Sequence, residues 1–231
     1  FGPNLKWRKE FCTKYKKRIF EKYKTNFMIL LRVEMCQNSE TLEVLKDAGC
    51  FRVLFGVESG DEAQRREVLD RKMTDKTIQK AFDNCRKNGL ETLAVNIIGF
   101  PDETEEMIKS TISLNRKLRM TTSGVNVFYP YKGTPLGDYC FDNDLVDLDK
   151  FNNFSNERRE SSLIFSDEHH EMINRYYRNW DFLIHPIYTY FGLRVRYLKY
   201  RNVFLQKLGV YDIVRDIYRS QKRWFRPGRA S

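Results

Sequence analysis

Glu91-Thr92-Leu93-Ala94-Val95-Asn96-Ile97-Ile98-Gly99-Phe100-Pro101-Asp102-Glu103-Thr104-Glu105-Glu106 is the stretch from which the rest of this 231-residue chain is read. Leu93 to Ile98 is a short apolar run rich in β-branched residues, bounded by Gly89 and Gly99, and reads as a buried strand. Gly99 and Pro101 stop it. Thr104 then suits a helix N-cap, and the acids behind it suit the positive end of a helix dipole. Strand, Gly-Pro turn and acid-rich helix start make a βα unit, and α/β folds place ligands at the carboxyl ends of such strands.

The same grammar recurs on both sides. Asn4 can cap an amphipathic helix to Lys24, with Leu5, Trp7, Phe11, Tyr15, Ile19 and Tyr23 at helical spacing and a basic outer face. Phe27 to Val33 reads as a strand, Ser39 caps a helix over Glu40 to Ala48, and Phe51 to Val57 is a second strand ending in Glu58-Ser59-Gly60. A charged helical stretch covers Asp61 to Arg71, and another helix starts at Thr74 or Asp75 and ends at Gly89. After the stretch quoted above come a helix from Thr104 to Leu118, a strand from Gly124 to Tyr129, and a turn-rich loop, Pro130 to Pro135. Lys46-Asp47-Ala48-Gly49 and Arg86-Lys87-Asn88-Gly89 are repeated helix ends, each followed by a β-rich run. Strands alternating with helices predict an α/β fold with a parallel sheet and right-handed crossovers. Residues 141–166 are polar and read as a linker. Residues 167–231 read as a basic, aromatic helical extension, with thirteen Lys and Arg against six Asp and Glu.

Composition narrows the function classes. Apolar residues are 41%, enough for a sizeable core, and the formal net charge of +10 points to an acidic partner such as an anionic membrane surface, a nucleic acid or a phosphorylated substrate. Cys12, Cys36, Cys50, Cys85 and Cys140 are scattered and odd in number, which fits a reducing, cytoplasmic compartment and contains no CxxC-type metal signature. No run is long and apolar enough for a membrane span. A zinc-protease helix, a nucleophile elbow and a phosphate-binding glycine loop are all missing.

Several residues stand where chemistry is done in such folds. Arg32 and Glu34 follow the first strand, Glu58 and Ser59 the second, Asn96 and Gly99 the third, Tyr129 and Tyr131 the fourth. Taken singly, each has an ordinary role open to it: a solvated ion pair, a turn carboxylate, a satisfied core amide, a packed aromatic. Taken together they line the carboxyl ends of consecutive parallel strands, which form one mouth in a barrel.

Leu45-Lys46-Asp47-Ala48-Gly49, Phe55-Gly56-Val57-Glu58-Ser59-Gly60, Ile98-Gly99-Phe100-Pro101-Asp102-Glu103-Thr104-Glu105-Glu106 and Tyr129-Pro130-Tyr131-Lys132-Gly133-Thr134-Pro135-Leu136 together resemble the radical S-adenosylmethionine superfamily. They are most similar to the branch that carries an N-terminal cobalamin-binding domain. The resemblance spans roughly residues 27 to 136. It implies a partial (β/α) barrel of the TIM type over residues 27–140, with the helix in residues 1–26 belonging to the same barrel. The cofactors it implies are S-adenosylmethionine, a 4Fe–4S cluster and, in that branch, cobalamin. Glu58 and Ser59 then match the strand end that contacts the ribose or methionine part of the cofactor. Asn96, Ile97 and Gly99 match the motif that packs on adenine, and Tyr129 the strand end near the adenine edge. Arg32, Glu34 and Tyr131 are substrate or cofactor candidates.

The departure from the family is the cluster motif: no CxxxCxxC occurs, and the glycine-rich motif that grips the methionine amino group is missing too. The expectation is therefore the C-terminal part of a longer enzyme, holding no metal itself and inactive alone, with an exposed sheet edge where further strands would pair. Cys36 is expected at the mouth, and Cys50 and Cys85 far from it. The whole enzyme would act on carbon–hydrogen bonds of a small or lipid-like substrate, or transfer methyl groups if a cobalamin domain precedes it. The rival reading is a noncatalytic module whose basic tail docks on anionic lipid or RNA, lipid being favoured because Trp180 to Leu193 is apolar and interfacial in character.

Overall fold

The computed structural model describes residues 4–153, 158–187, 190–211 and 213–214. Four strands form one parallel sheet in sequence order: β1 Phe27–Leu31, β2 Cys50–Glu58, β3 Glu91–Ile98 and β4 Thr122–Val127. The expected sheet is thus observed, with strand ends displaced by one or two residues. β1 stops early because Val33–Cys36 winds into a 3-10 turn.

One face of the sheet is covered by helices. These are α1 Leu5–Tyr15, continued by a π-helical turn Lys16–Phe20 and by Glu21–Tyr23, then α2 Glu40–Asp47, α3 Asp75–Lys87 and α4 Glu105–Leu118. Asn4 caps α1 by accepting from the Lys6 and Trp7 N–H groups. Thr74 caps α3 and Thr104 caps α4 in the same way. Ser39 precedes α2 without capping it, and its hydroxyl accepts instead from Asn88. Strand residues alternate between faces, so Val53, Phe55, Val57, Ala94 and Ile98 enter the core against Leu42, Leu45, Ile78, Phe82 and Ile108. Phe55 and Phe82 meet at 4.9 Å between ring centroids. On α1 the buried face is Arg8 and Cys12, while Trp7 and Phe11 stack on each other at the surface, 5.3 Å apart. Of the apolar row expected to bury on this helix, Trp7, Phe11 and Tyr23 are exposed, while Leu5, Tyr15 and Ile19 are half-buried.

Residues 141–166 are not a bare linker. After α5 Pro135–Asp142, the chain makes the short helix α6 Leu148–Asn152, and Val146 bridges to Leu163. Val146 and Leu163 join Phe100, Phe128 and Cys140 in a second apolar cluster. Several apolar residues in this polar stretch thus find distant partners, which composition alone does not reveal. Residues 154–157 of it lie outside the described residues.

Helix α7 Asp167–Ile184 packs back on the sheet rather than opening an extension. Trp180 Nε1 donates to Ser123 Oγ at 2.9 Å, Tyr176 donates to Glu105, and Arg116 Nε donates to the Leu183 carbonyl. The chain accordingly divides after Ile184, not at residue 167. The second unit, from His185, contains α8 Tyr190–Lys207, closed by Gly209 at φ +69°. Tyr190, Leu193, Tyr197, Phe204 and Leu208 are exposed along it. Because Val195, Leu198 and Leu205 fall at other helical phases, apolar residues run around α8 instead of forming one stripe. The basic residues from Arg215 to Arg229 lie outside the described residues, as do parts of the Trp180 to Leu193 stretch. Among the described residues no helix is long and apolar enough to cross a membrane.

Candidate functional site

The face of the sheet opposite the helices is open. Met28 and Leu30 of β1 are 54% and 64% exposed. Register places Leu30, Leu54 and Leu93 in one row across the strands, and Gly56, Val95 and Gly124 in the next. Two glycines flanking a valine leave a flat apolar strip just inside the strand ends.

Glu58 overhangs that strip. It is the last residue of β2, it has a left-handed backbone at φ +65°, and the Ser59 N–H closes a tight turn on the Val57 carbonyl at 2.9 Å. A non-glycine residue at the centre of such a γ-turn is rare and strained. The pairing register slips between Gly56 and Glu58, as a bulge does when it re-aims a side chain. The carboxylate turns back over Gly56, where a Cβ would overlap it, and pairs with Arg71 at 3.1 Å. Burial raises its proton affinity above the ordinary carboxylate range, and Arg71 opposes that.

The turn is held from behind by a buried cation. Arg65 is fully buried, donates to the Ser59 carbonyl at 2.6 Å and to the Met73 carbonyl at 3.3 Å, and pairs with Asp75 at 2.5 Å. Gly60 lies so close to the backbone of Ser110 and Thr111 on α4 that no side chain fits there. Ser59 itself is buried, with its hydroxyl accepting from the Asp61 N–H, so it shapes the turn and does not face the mouth.

On β3 the alternation decides which side chains face the strip. Val95 and Ile97 lie on the open face. Asn96 is buried on the helix side, which corrects the expectation that it opens on the mouth with Glu58. Its amide bonds Asn115, Ser123 and the Gly124 carbonyl at 3.0–3.1 Å, and Asn115 returns a bond of 2.8 Å. The polar residue in this apolar strand is thus satisfied by α4 and β4. Gly99 adopts φ +81°, and its N–H donates to Glu103 at 2.5 Å.

Tyr129 lies two residues beyond β4 and is buried. Its hydroxyl donates to the Phe151 carbonyl at 2.9 Å, and its ring meets those of Phe151 and Tyr131. The Tyr131 hydroxyl accepts from Arg158 at 2.8 Å. These two tyrosines fix the loop after β4, which is a packing role. Arg32 and Glu34 stand 3.5 Å apart on the exposed 3-10 turn after β1. Cys36, expected at the mouth, is buried, with its thiol facing Cys85 of α3 in the core. Arg65, Arg71 and Glu103 were missed in the sequence. Glu103 stands inside the opening motif, whereas Arg65 lies in the π-helical segment Gln64–Val68 and Arg71 just after it, with no motif to mark them.

The donor set does not fit an iron–sulfur cluster. All five cysteines are buried, burial pushes Cys12, Cys50 and Cys140 up to about 11, and Cys85 is raised as well. Thiolates are what bind iron. Among the described residues no three His, Cys, Asp or Glu side chains converge as metal ligands.

Four parallel strands in sequence order, alternating with helices on one face, make up a segment of an α/β barrel. Residues 3–114, just under half of the chain, match the model of the Radical SAM superfamily. It is 34% identical over 109 residues to the uncharacterized methyltransferase PH0819 of Pyrococcus horikoshii, covering 47% of this chain and 24% of that protein. It is 32% identical over 97 residues to the biotin synthase of Chlamydia abortus, covering 42% of this chain and 29% of that one. The matched stretch thus spans about a quarter of these relatives' own length. Among solved structures, the radical S-adenosylmethionine methyltransferase TsrM from Kitasatospora setae aligns at TM-score 0.50 and 19% identity, over 58% of this chain and 27% of that chain. This likeness is one of fold: the partial (β/α) barrel.

Proposed function

We propose that the open face supplies the ribose and adenine side of an S-adenosylmethionine site in a radical S-adenosylmethionine enzyme. The observation that carries this is Glu58, whose carboxylate is held by a strained turn over the flat Gly56–Val95–Gly124 strip. A carboxylate accepts hydrogen bonds from a ribose diol, while a strip without side chains at two of its three positions takes a planar base. Ile97 borders the base, and Arg71 holds the Glu58 carboxylate until the diol reaches it. When bound, S-adenosylmethionine supplies either a methyl group or a 5′-deoxyadenosyl radical able to abstract hydrogen from carbon. The five cysteines here are buried, and among the described residues no three metal-ligating side chains converge, so these residues do not supply the cluster's thiolates. Similarity to a protein named as a methyltransferase favours methyl transfer as the reaction class. Cobalamin enters this proposal through the motifs that resemble the cobalamin-associated branch.

The test is titration of the isotope-labelled 231-residue chain with S-adenosylmethionine and S-adenosylhomocysteine, followed by nuclear magnetic resonance. Shifts are expected at Gly56, Glu58, Val95 and Gly124, and Glu58→Ala should abolish them. A saturable site elsewhere, or no shift at millimolar ligand, removes the proposal.

A second reading concerns the second unit alone. The exposed Tyr190, Leu193, Tyr197 and Phe204 of α8, flanked by Arg194 and Arg201, suit an anionic lipid surface. Flotation with phosphatidylserine vesicles against neutral vesicles tests it, and equal recovery from both would end it. Preferential capture by RNA would instead favour a nucleic-acid partner.

A further inference from the structure

The turns after β2 and β3 meet below the open face through two side chains that the cofactor reading does not use. Glu103 is 1% exposed and Gln64 is 3% exposed. Glu103 closes its own turn: one carboxyl oxygen accepts from the Gly99 N–H at 2.5 Å, and the Phe100 N–H also bonds the carboxyl. Gln64 begins the π-helical segment Gln64–Val68, its own N–H is held by Asp61 at 2.8 Å, and its side-chain amide reaches the Glu103 carboxyl. Yet Glu103 Oε1 and Gln64 Oε1 are both buried without a hydrogen-bond partner among the described residues. Two buried acceptors left this way are costly, each by the desolvation of an unpaired polar atom.

The charged groups around the pair are committed elsewhere. Arg65, next to Gln64, bonds Ser59, Met73 and Asp75. Glu58 pairs with Arg71, and Glu105 on α4 with Arg175 and Tyr176. Asp61 caps Gln64, and Asp102 stands in the same turn with φ +58°. Asp61 and Asp102 are themselves acids and bring no positive charge. On the remaining side lies the apolar cluster of Phe100 and Phe128, with Leu69 from the β2–α3 connection packed against it.

We propose that Glu103 is a neutral carboxylic acid whose Oε1 proton is donated to Gln64 Oε1, and that this shared proton latches the Glu58 turn to the Gly99 turn. One proton satisfies both unpaired atoms, with the Gln64 amide oriented so that its oxygen accepts. Glu103 is thus a positioning residue for the mouth, and loss of its proton releases the two turns together. Burial pushes its proton affinity up to about 8, against the lowering effect of the Gly99 and Phe100 bonds; Gln64 adds to that lowering only when its NH2 faces the carboxyl, and favours the protonated acid when its oxygen faces it instead. The latch is closed at neutral pH and opens in mild alkali, whichever ligand occupies the mouth, so its fate is separable from that of the cofactor reading.

The experiment uses the 231-residue chain labelled with carbon-13 at glutamate carboxyls. One carboxyl resonance should titrate with a midpoint about 8 and be missing in Glu103→Gln. Hydrogen exchange at residues 61–65 and 99–100, corrected for intrinsic pH dependence, should accelerate together across that midpoint, whereas Glu103→Gln should stay protected. In Gln64→Met the acceleration should persist at 99–100 and vanish at 61–65, which tests the coupling even if the Glu103 variant fails to fold. A Glu103 carboxyl titrating in the ordinary carboxylate range overturns the proposal. So do turns that open at different pH values, or coupling that survives Gln64→Met.

Discussion

The Arg71 guanidinium stands 3.1 Å from the Glu58 carboxylate, and that carboxylate lies over the bare Cα of Gly56. Arg71 is partly exposed and the pair is at the mouth, so it contributes little to stability. Its effect is on ionisation. Burial raises the Glu58 proton affinity and Arg71 lowers it. Arg71→Met should therefore move Glu58 titration further up, and binding of S-adenosylhomocysteine should weaken as pH falls through that higher range. Calorimetry between pH 5.5 and 8 checks this, and an unchanged pH profile would show that Glu58 does not contact the ligand.

Gly60 offers a sharper structural test. Its N–H donates to Thr111 Oγ1 at 2.8 Å, and a Cβ would overlap the α4 backbone at Ser110 and Thr111. Gly60→Ala should cost about 1–3 kcal/mol by overpacking. Denaturant unfolding measures it, and a neutral result would mean that the turn does not sit against α4.

Asn96 separates stability from binding. Asn96→Ala removes bonds to Asn115, Ser123 and the Gly124 carbonyl, leaving the Asn115 amide short of one partner. The loss should be about 1–3 kcal/mol. Ligand affinity at the open face should change less than twofold in the folded variant, since the side chain points to the helices. A tenfold loss of affinity at equal foldedness would contradict that placement.

The Glu103 carboxyl gives stability a pH dependence of definite sign. Its folded-state proton affinity lies near 8, above the 4.5 of an ordinary glutamate, so between those values the folded chain holds a proton that the unfolded chain has lost. The contribution is complete below pH 4.5 and is lost as pH rises to 8, by at most about 1.4 kcal/mol per pH unit. Glu103→Gln should match the parent chain near pH 5 and exceed it at pH 8. Thermal unfolding at both values checks the crossover, and parallel curves would refute it.

The sheet was legible because its signals are local: β-branched runs of strand length, glycines at helix ends, and the repeated helix–glycine–strand unit. Which face Asn96 takes was not, because period-two alternation has two phases and a polar residue fits either a ligand or partners far along the chain. Its partners proved to be Asn115 and Ser123, with Trp180 completing the network from α7. Glu58 could be singled out by its place after a strand. Arg71 and Arg65 could not, since the π-helical turn Gln64–Val68 and the residues after it carry no motif that marks a cation. The stretch 141–166 misled through its polarity: a handful of residues such as Val146 and Leu163 outweighed the average.

The backbone at Glu58 carries a consequence for how this position tolerates variation. At φ +65° glycine is at ease and any other residue pays roughly 1–2 kcal/mol. Glu58→Gly should therefore yield a hardier chain that has lost its acceptor for a diol. A survey of variants should therefore find stability and ligand binding pulling in opposite directions at this residue.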